Sequence, residues 1–170
     1  MRKYFEEKAK VEEKLDEERI WYLIDRIREA DTVWLCGNGG SATTAEHMAV
    51  DLIKLAHKRA VAISSLSLCS MSVNDYLETD MFRYGLQRLV HKNDLVICLS
   101  CSGTSLNIES VLEDGVLCCR TFLITGRGVM KGKVSEHVDK LVIESEDYQI
   151  LEDIMLSICH VVCRTMGGVR

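Results

Sequence analysis

The chain has 170 residues, with 21 Lys and Arg against 26 Asp and Glu and a formal net charge of −5. That length makes one domain, able to bury roughly two thirds of its unfolded surface without metal or disulfide support. The acidic balance speaks against nucleic acid or an anionic membrane as partner. No apolar run approaches the roughly 20 residues of a membrane span and no secretory leader is evident, so the expectation is a cytoplasmic protein.

Residues 3–29 are rich in charge and good helix formers, with Glu6 and Lys10 at i,i+4, and read as one helix. Tyr4, Val11, Leu15 and Tyr22 form a narrow seam, which Ile20, Leu23, Ile24 and Ile27 widen into a core-facing stripe. The narrow part suits a partner helix, so residues 1–29 read as an oligomerisation arm on an α/β core over 30–170. The alternative is a helix lying on its own domain.

Short continuous apolar runs then alternate with helical stretches. Strands are expected at 32–36, 60–64, 94–100, 120–125 and 140–143. Helices are expected at 41–56, 78–91, 105–117 and 147–166, with a short one near 129–136. Unbroken apolar strands are covered on both faces, and this alternation means βαβ units. The fold class is therefore α/β, a three-layer αβα sandwich around a five-stranded parallel sheet.

Two of the strand–helix junctions carry chemistry. The first runs through Gly37-Asn38-Gly39-Gly40-Ser41-Ala42, and the second through Ser100-Cys101-Ser102-Gly103-Thr104-Ser105. Each offers backbone N–H groups, hydroxyl donors and the positive end of a helix, which together cradle a phosphate. The first also fits a dinucleotide fingerprint, but that reading needs an acid at the end of the second strand. There the chain reads Ala62-Ile63-Ser64-Ser65, without a carboxylate. In the second, Ser100, Ser102, Thr104 and Ser105 surround Gly103, a pattern that suits a sugar phosphate; a structural turn with a Ser cap is the bland alternative.

His47 and Asp51 stand at i,i+4 on the helix that follows the first loop and share a face. Glu152 and His160 lie on the last helix, about 12 Å of rise apart. Either that pair converges at full reach, or one of its members serves a neighbouring subunit. Two imidazoles and two carboxylates make a zinc set, or else an acid–base pair without metal. His57, His91 and His137 read as surface residues. The eight cysteines show no C-x-x-C spacing and read as reduced, mostly buried thiols.

These residues resemble a known family. Gly37-Asn38-Gly39-Gly40-Ser41 followed by Glu46-His47-Met48-Ala49-Val50-Asp51-Leu52 is similar to the first signature of the bacterial phosphoheptose isomerases of the SIS (sugar isomerase) domain superfamily. Ser100 through Asn107 resembles their phosphate loop, and Thr125-Gly126-Arg127-Gly128 and the Glu152–His160 helix match later signatures. The resemblance implies isomerisation of sedoheptulose 7-phosphate to a heptose 7-phosphate for surface glycans such as lipopolysaccharide, in a homotetramer that often holds zinc.

Carried over by position, the resemblance makes Asp51 the general base and His160 the general acid, with His47, Asp51, Glu152 and His160 at the metal. It puts Ser41, Ser100, Ser102 and Ser105 on the phosphate, with Asn38 and Asp75 near the sugar, and Gly39, Gly40, Thr104 and Glu152 in the substrate site. Well-known members carry Glu at the place of Asp51 and Gln at the place of Glu152, and substrate identity is what these exchanges touch. The rival reading is a non-catalytic SIS module that binds a sugar phosphate or a protein.

Overall fold

Five strands, β1 (Val33–Gly37), β2 (Ala60–Ala62), β3 (Leu95–Ser100), β4 (Arg120–Gly126) and β5 (Asp139–Ile143), pair in parallel in the order β2-β1-β3-β4-β5. They come from a computed structural model that describes residues 1–113, 115–127 and 138–168. The helices are α1 (Arg2–Glu12), α2 (Glu17–Glu29), α3 (Gly40–Ala56), α4 (Leu66–Asp75), α5 (Asp80–Leu89), α6 (Leu106–Leu112) and α7 (Tyr148–Gly167).

Alternation along the strands builds two cores. Ile97 and Leu99 of β3 join Leu35, Phe122, Ile124 and Leu141 on one face, packed by α2, α3 and α7. Val96 and Cys98 join Cys36 and Leu123 on the other, covered by α4, α5 and α6. The three-layer αβα sandwich and its five-stranded parallel sheet are as expected from the sequence. The helix expected near 129–136 lies outside the described residues.

Three elements differ from expectation. The first helix is two, because Asp16 accepts from Arg19 N at 3.0 Å and caps a new helix whose first turn carries Glu17 and Glu18. The α1 segment lies along its own α7, where Tyr4 Oη donates to Asp153 at 2.9 Å and Lys8 pairs with the same carboxylate at 3.7 Å. None of its residues is buried, and Phe5 stands open. The α4 helix was not expected; Ser65 caps it by accepting from Leu68 N. Finally, α6 stops at Leu112, since Glu113 is extended and Gly115 takes a φ of 72°.

Below the sheet, buried Asp94 ties three segments together, accepting from Thr32 N and Trp34 Nε1 at 3.0 Å each and from His91 N at 2.8 Å. Burial alone would raise its pKa, but the donors from His91, Trp34 and Thr32 outweigh that and hold it below the ordinary value. No described helix is long and apolar enough to cross a membrane.

The strand order also fixes where a ligand goes. From β1 the chain passes through α3 to β2 on one side; from β3 it passes through α6 to β4 on the other. Direction reverses between β1 and β3, and in open α/β sheets the crevice at the carboxyl ends of such a strand pair is the binding place.

Candidate active site

At that crevice lies a cleft of about 140 Å³, with Ser41, Ser100, Ser102 and Ser105 on its walls and Asn38, Tyr148 and Glu152 also lining it. The first loop turns at Gly39, whose φ of 53° and ψ of −122° suit glycine alone. A Cβ at Gly40 would land on the Glu152 carboxylate, so a side chain there would push that carboxylate from its place in the cleft. α3 begins with no side-chain cap, so its opening turn is not closed off by a residue of its own.

The second loop uses its own hydroxyls to set its shape. Gly103 N donates to Ser100 Oγ and Thr104 N to Ser102 Oγ, both at 3.2 Å. Ser105 is the N-cap residue of α6 but makes no side-chain cap bond, which leaves its hydroxyl for a ligand. The two loops are joined by reciprocal amide bonds, Asn38 Nδ2 to Asn107 Oδ1 and Asn107 Nδ2 to Asn38 Oδ1, each 2.9 Å. Ser41 Oγ and Cys101 Sγ meet at 3.8 Å beneath them. Burial pushes the Cys101 thiol up, the Ser41 contact pulls it back, and the Glu152 charge adds to the rise. Cys101 is therefore a thiol at neutral pH and no nucleophile.

A second group forms further along the same two helices. His47 and Asp51 of α3 meet His160 of α7, with His47 Nε2 3.1 Å from His160 Nε2 and 3.4 Å from Asp51 Oδ2. His160 Nε2 lies 4.0 Å from the same oxygen. Three ligands at zinc–nitrogen and zinc–oxygen lengths around a tetrahedral ion stand about 3.4 Å apart, so the spacing and the His₂Asp donor set fit such an ion with one position open. The side chains of His47 and His160 are half-exposed, while that of Asp51 is 18% exposed. Behind them Cys159 and Cys163 stay protonated. Burial drives both upward, Cys163 to about 12, and the Asp51 charge adds to each.

The structure separates two residues that the sequence analysis grouped. Glu152 is not in the His47–Asp51–His160 cluster; two turns of helix keep it over Gly40 in the cleft. Asp75 does not line the cleft either: it ends α4 in the open and accepts from Asn74 Nδ2 at 2.7 Å. Thr104 is exposed and shapes the loop through its backbone. Tyr148 also lines the cleft and Asn107 reaches Asn38 from across it, and no local pattern in the sequence marks either role. His57 and His91 are exposed, and His137 lies outside the described residues. No carboxylate follows β2, as the dinucleotide reading would need.

The SIS domain family matches residues 6–115 of this chain. A phosphoheptose isomerase of Helicobacter pylori is 31% identical over 152 residues, covering 85% of this chain and 78% of its own. A probable phosphoheptose isomerase of Thermoplasma acidophilum is 29% identical over 175 residues, 95% of this chain and 94% of its own. Among solved structures, phosphoheptose isomerases of Neisseria gonorrhoeae and Francisella tularensis share the fold at 20% identity, with TM-scores of 0.86 and 0.87. Those alignments cover 96% and 98% of this chain and 95% and 96% of theirs.

Proposed function

The chain belongs to the SIS domain family and, within it, to the phosphoheptose isomerases, and on that premise we propose that it interconverts sedoheptulose 7-phosphate and a heptose 7-phosphate. The observation that carries this reading is the meeting of Asp51, His47 and His160 on the same pair of helices that lines the hydroxyl-walled cleft. Along α7 the two places are about 12 Å apart. The two ends of an extended seven-carbon phosphate ester are separated by a comparable length.

In this reading the phosphate sits against Ser41, Ser100, Ser102 and Ser105, with the backbone of Gly39, Gly40 and Thr104 shaping the pocket. Remote binding of that group supplies the positioning energy for the reacting carbons. Glu152 takes sugar hydroxyls, since a carboxylate has no donor to offer a phosphate. Asn38 faces the sugar from the opposite lip. Asp75 would have to reach the sugar from another copy of the chain.

Asp51 takes the proton from C1, the C1–H electron pair becomes the C1–C2 double bond, and His160 gives a proton to the carbonyl oxygen on C2. The enediol then collapses the other way. Asp51 returns its proton to C2, the hydroxyl on C1 gives its proton to His160, and the aldehyde forms. With zinc held by His47, Asp51 and His160, the ion would polarise the carbonyl as a Lewis acid in place of the proton from His160.

A homotetramer in the cytoplasm, supplying heptose for surface glycans, belongs to the same reading. Exposed Val50 and Ile53 on α3 and Val161 on α7 lie on the two helices that carry the half-open triad and suit a second copy. A module that only binds has no use for two imidazoles and a carboxylate at one point. The test is proton exchange: wild type in deuterated water should place deuterium at C1 of sedoheptulose 7-phosphate or C2 of the product. A chain that binds the ester but neither converts it nor exchanges a carbon-bound proton refutes catalysis.

A further inference from the structure

Asn38 and Asn107 are 69 residues apart in sequence, yet their amides donate to and accept from one another at 2.9 Å in both directions. One belongs to the loop after β1 and the other to the first turn of α6, after β3. These are the two strands between which the chain direction reverses, so the pair spans the crevice from lip to lip. Among the described residues its two bonds are the ones between side-chain oxygen and nitrogen atoms that join these two segments; the other side-chain contact, Ser41 to Cys101, is a long one to sulfur.

Asn107 is itself braced. Its Nδ2 also reaches Met81 Sδ at 3.4 Å, and its backbone carbonyl lies 3.2 Å from Ser110 Oγ, whose hydroxyl donates chiefly to Thr79 O ahead of α5. Asn38, by contrast, is exposed, sits beside Gly39 with its positive φ, and lines the cleft. A side chain on a glycine loop has little else to hold it. A primary amide has a donor end and an acceptor end, and only a partner offering both can fix which end points where.

We propose that Asn107 is a positioning residue for the sugar-phosphate site: it fixes the amide of Asn38 and, through it, the gap between the two phosphate loops. This rests on the reading of the cleft as the ester site. Asn107 does not line the cleft, so it acts through Asn38 and not on the ligand.

The claim is tested by a double-mutant cycle on kcat/KM and on the Kd for sedoheptulose 7-phosphate, using Asn38→Ala, Asn107→Leu and the double variant. Asn107→Leu removes both bonds at similar volume; Asn107→Ala is the second variant should leucine disturb packing against Met81. Asn107→Leu should lower kcat/KM about tenfold, mostly through KM. The double variant should be no worse than Asn38→Ala alone, because the effect of one runs through the other. Multiplying effects, or an Asn107→Leu enzyme with wild-type KM, overturn the proposal while leaving the isomerase reading intact. A wild-type chain that neither binds nor converts the ester removes that reading, and this inference with it.

Discussion

The cleft and the triad are built from the same two helices by opposite means. The cleft is recessed, formed from backbone turns, short hydroxyls and glycines whose positions the sheet dictates. The triad is half-open to solvent and made of two imidazoles and a carboxylate from α3 and α7. One is a scaffold property and tolerates little change in backbone; the other is a chemical property that side-chain exchange can erase without touching the fold. Binding and turnover should therefore separate cleanly by mutation.

The sharpest break should come from Asp51→Asn. It keeps shape and removes the base, so kcat should fall about a thousandfold or more while Kd for the ester stays within a few-fold, by stopped-assay kinetics and calorimetry. Retained turnover would sink the assignment of the base. Next, His47→Ala should abolish stoichiometric zinc uptake when the purified protein is exposed to the metal, read by elemental analysis, with the melting temperature of the metal-free protein little changed. On the cleft side the effect should move to KM. Ser105→Ala should raise it about tenfold with kcat nearly unchanged, and without loss of stability, because Ser105 does not cap its helix.

The smallest functional effect belongs to Asp94, at the opposite end of the strands from the cleft. Asp94→Asn should leave kcat/KM alone but cost about 2 kcal/mol by unsettling three donors, a melting shift of about 4–8 °C. The folded-state pKa of Asp94 is depressed, so its stabilisation is complete above the unfolded value of about 4 and is lost as pH falls through the folded value. The gap in melting temperature between wild type and variant should thus narrow below about pH 4. A constant gap would mean that the carboxylate charge is not what holds the three segments.

The same contrast explains what could be read from the chain. The strands and both phosphate loops were legible because local rules govern them: unbroken apolar runs, glycine where φ is positive, serine where a helix opens. The His47–Asp51 pair was legible from its i,i+4 spacing. What resisted were features that depend on distance through space. Leu66–Asp75 carries no clear helical stripe in the sequence, yet it forms a helix that buries Cys69 and Ser72. The break at Asp16 was hidden by helix formers on both sides. The separation of Glu152 from His160 came down to reach along one helix, and the bond from Asn38 to Asn107 has no local signal at all.

The helix that begins at Tyr148 is the last regular element of the described chain, and it supplies a member to each half of the site, Glu152 to one and His160 to the other. His160 finds His47 across 113 positions of sequence. The same helix buries Ile150, Leu151, Ile154, Met155, Ile158, Cys159, Val162 and Cys163 against the sheet face that α2 and α3 share, and such long-range closure is slow compared with helix formation. Docking of this final segment would then complete the core and the chemistry in one late event, and a nascent or truncated product without it would be inert and short of a covered sheet face.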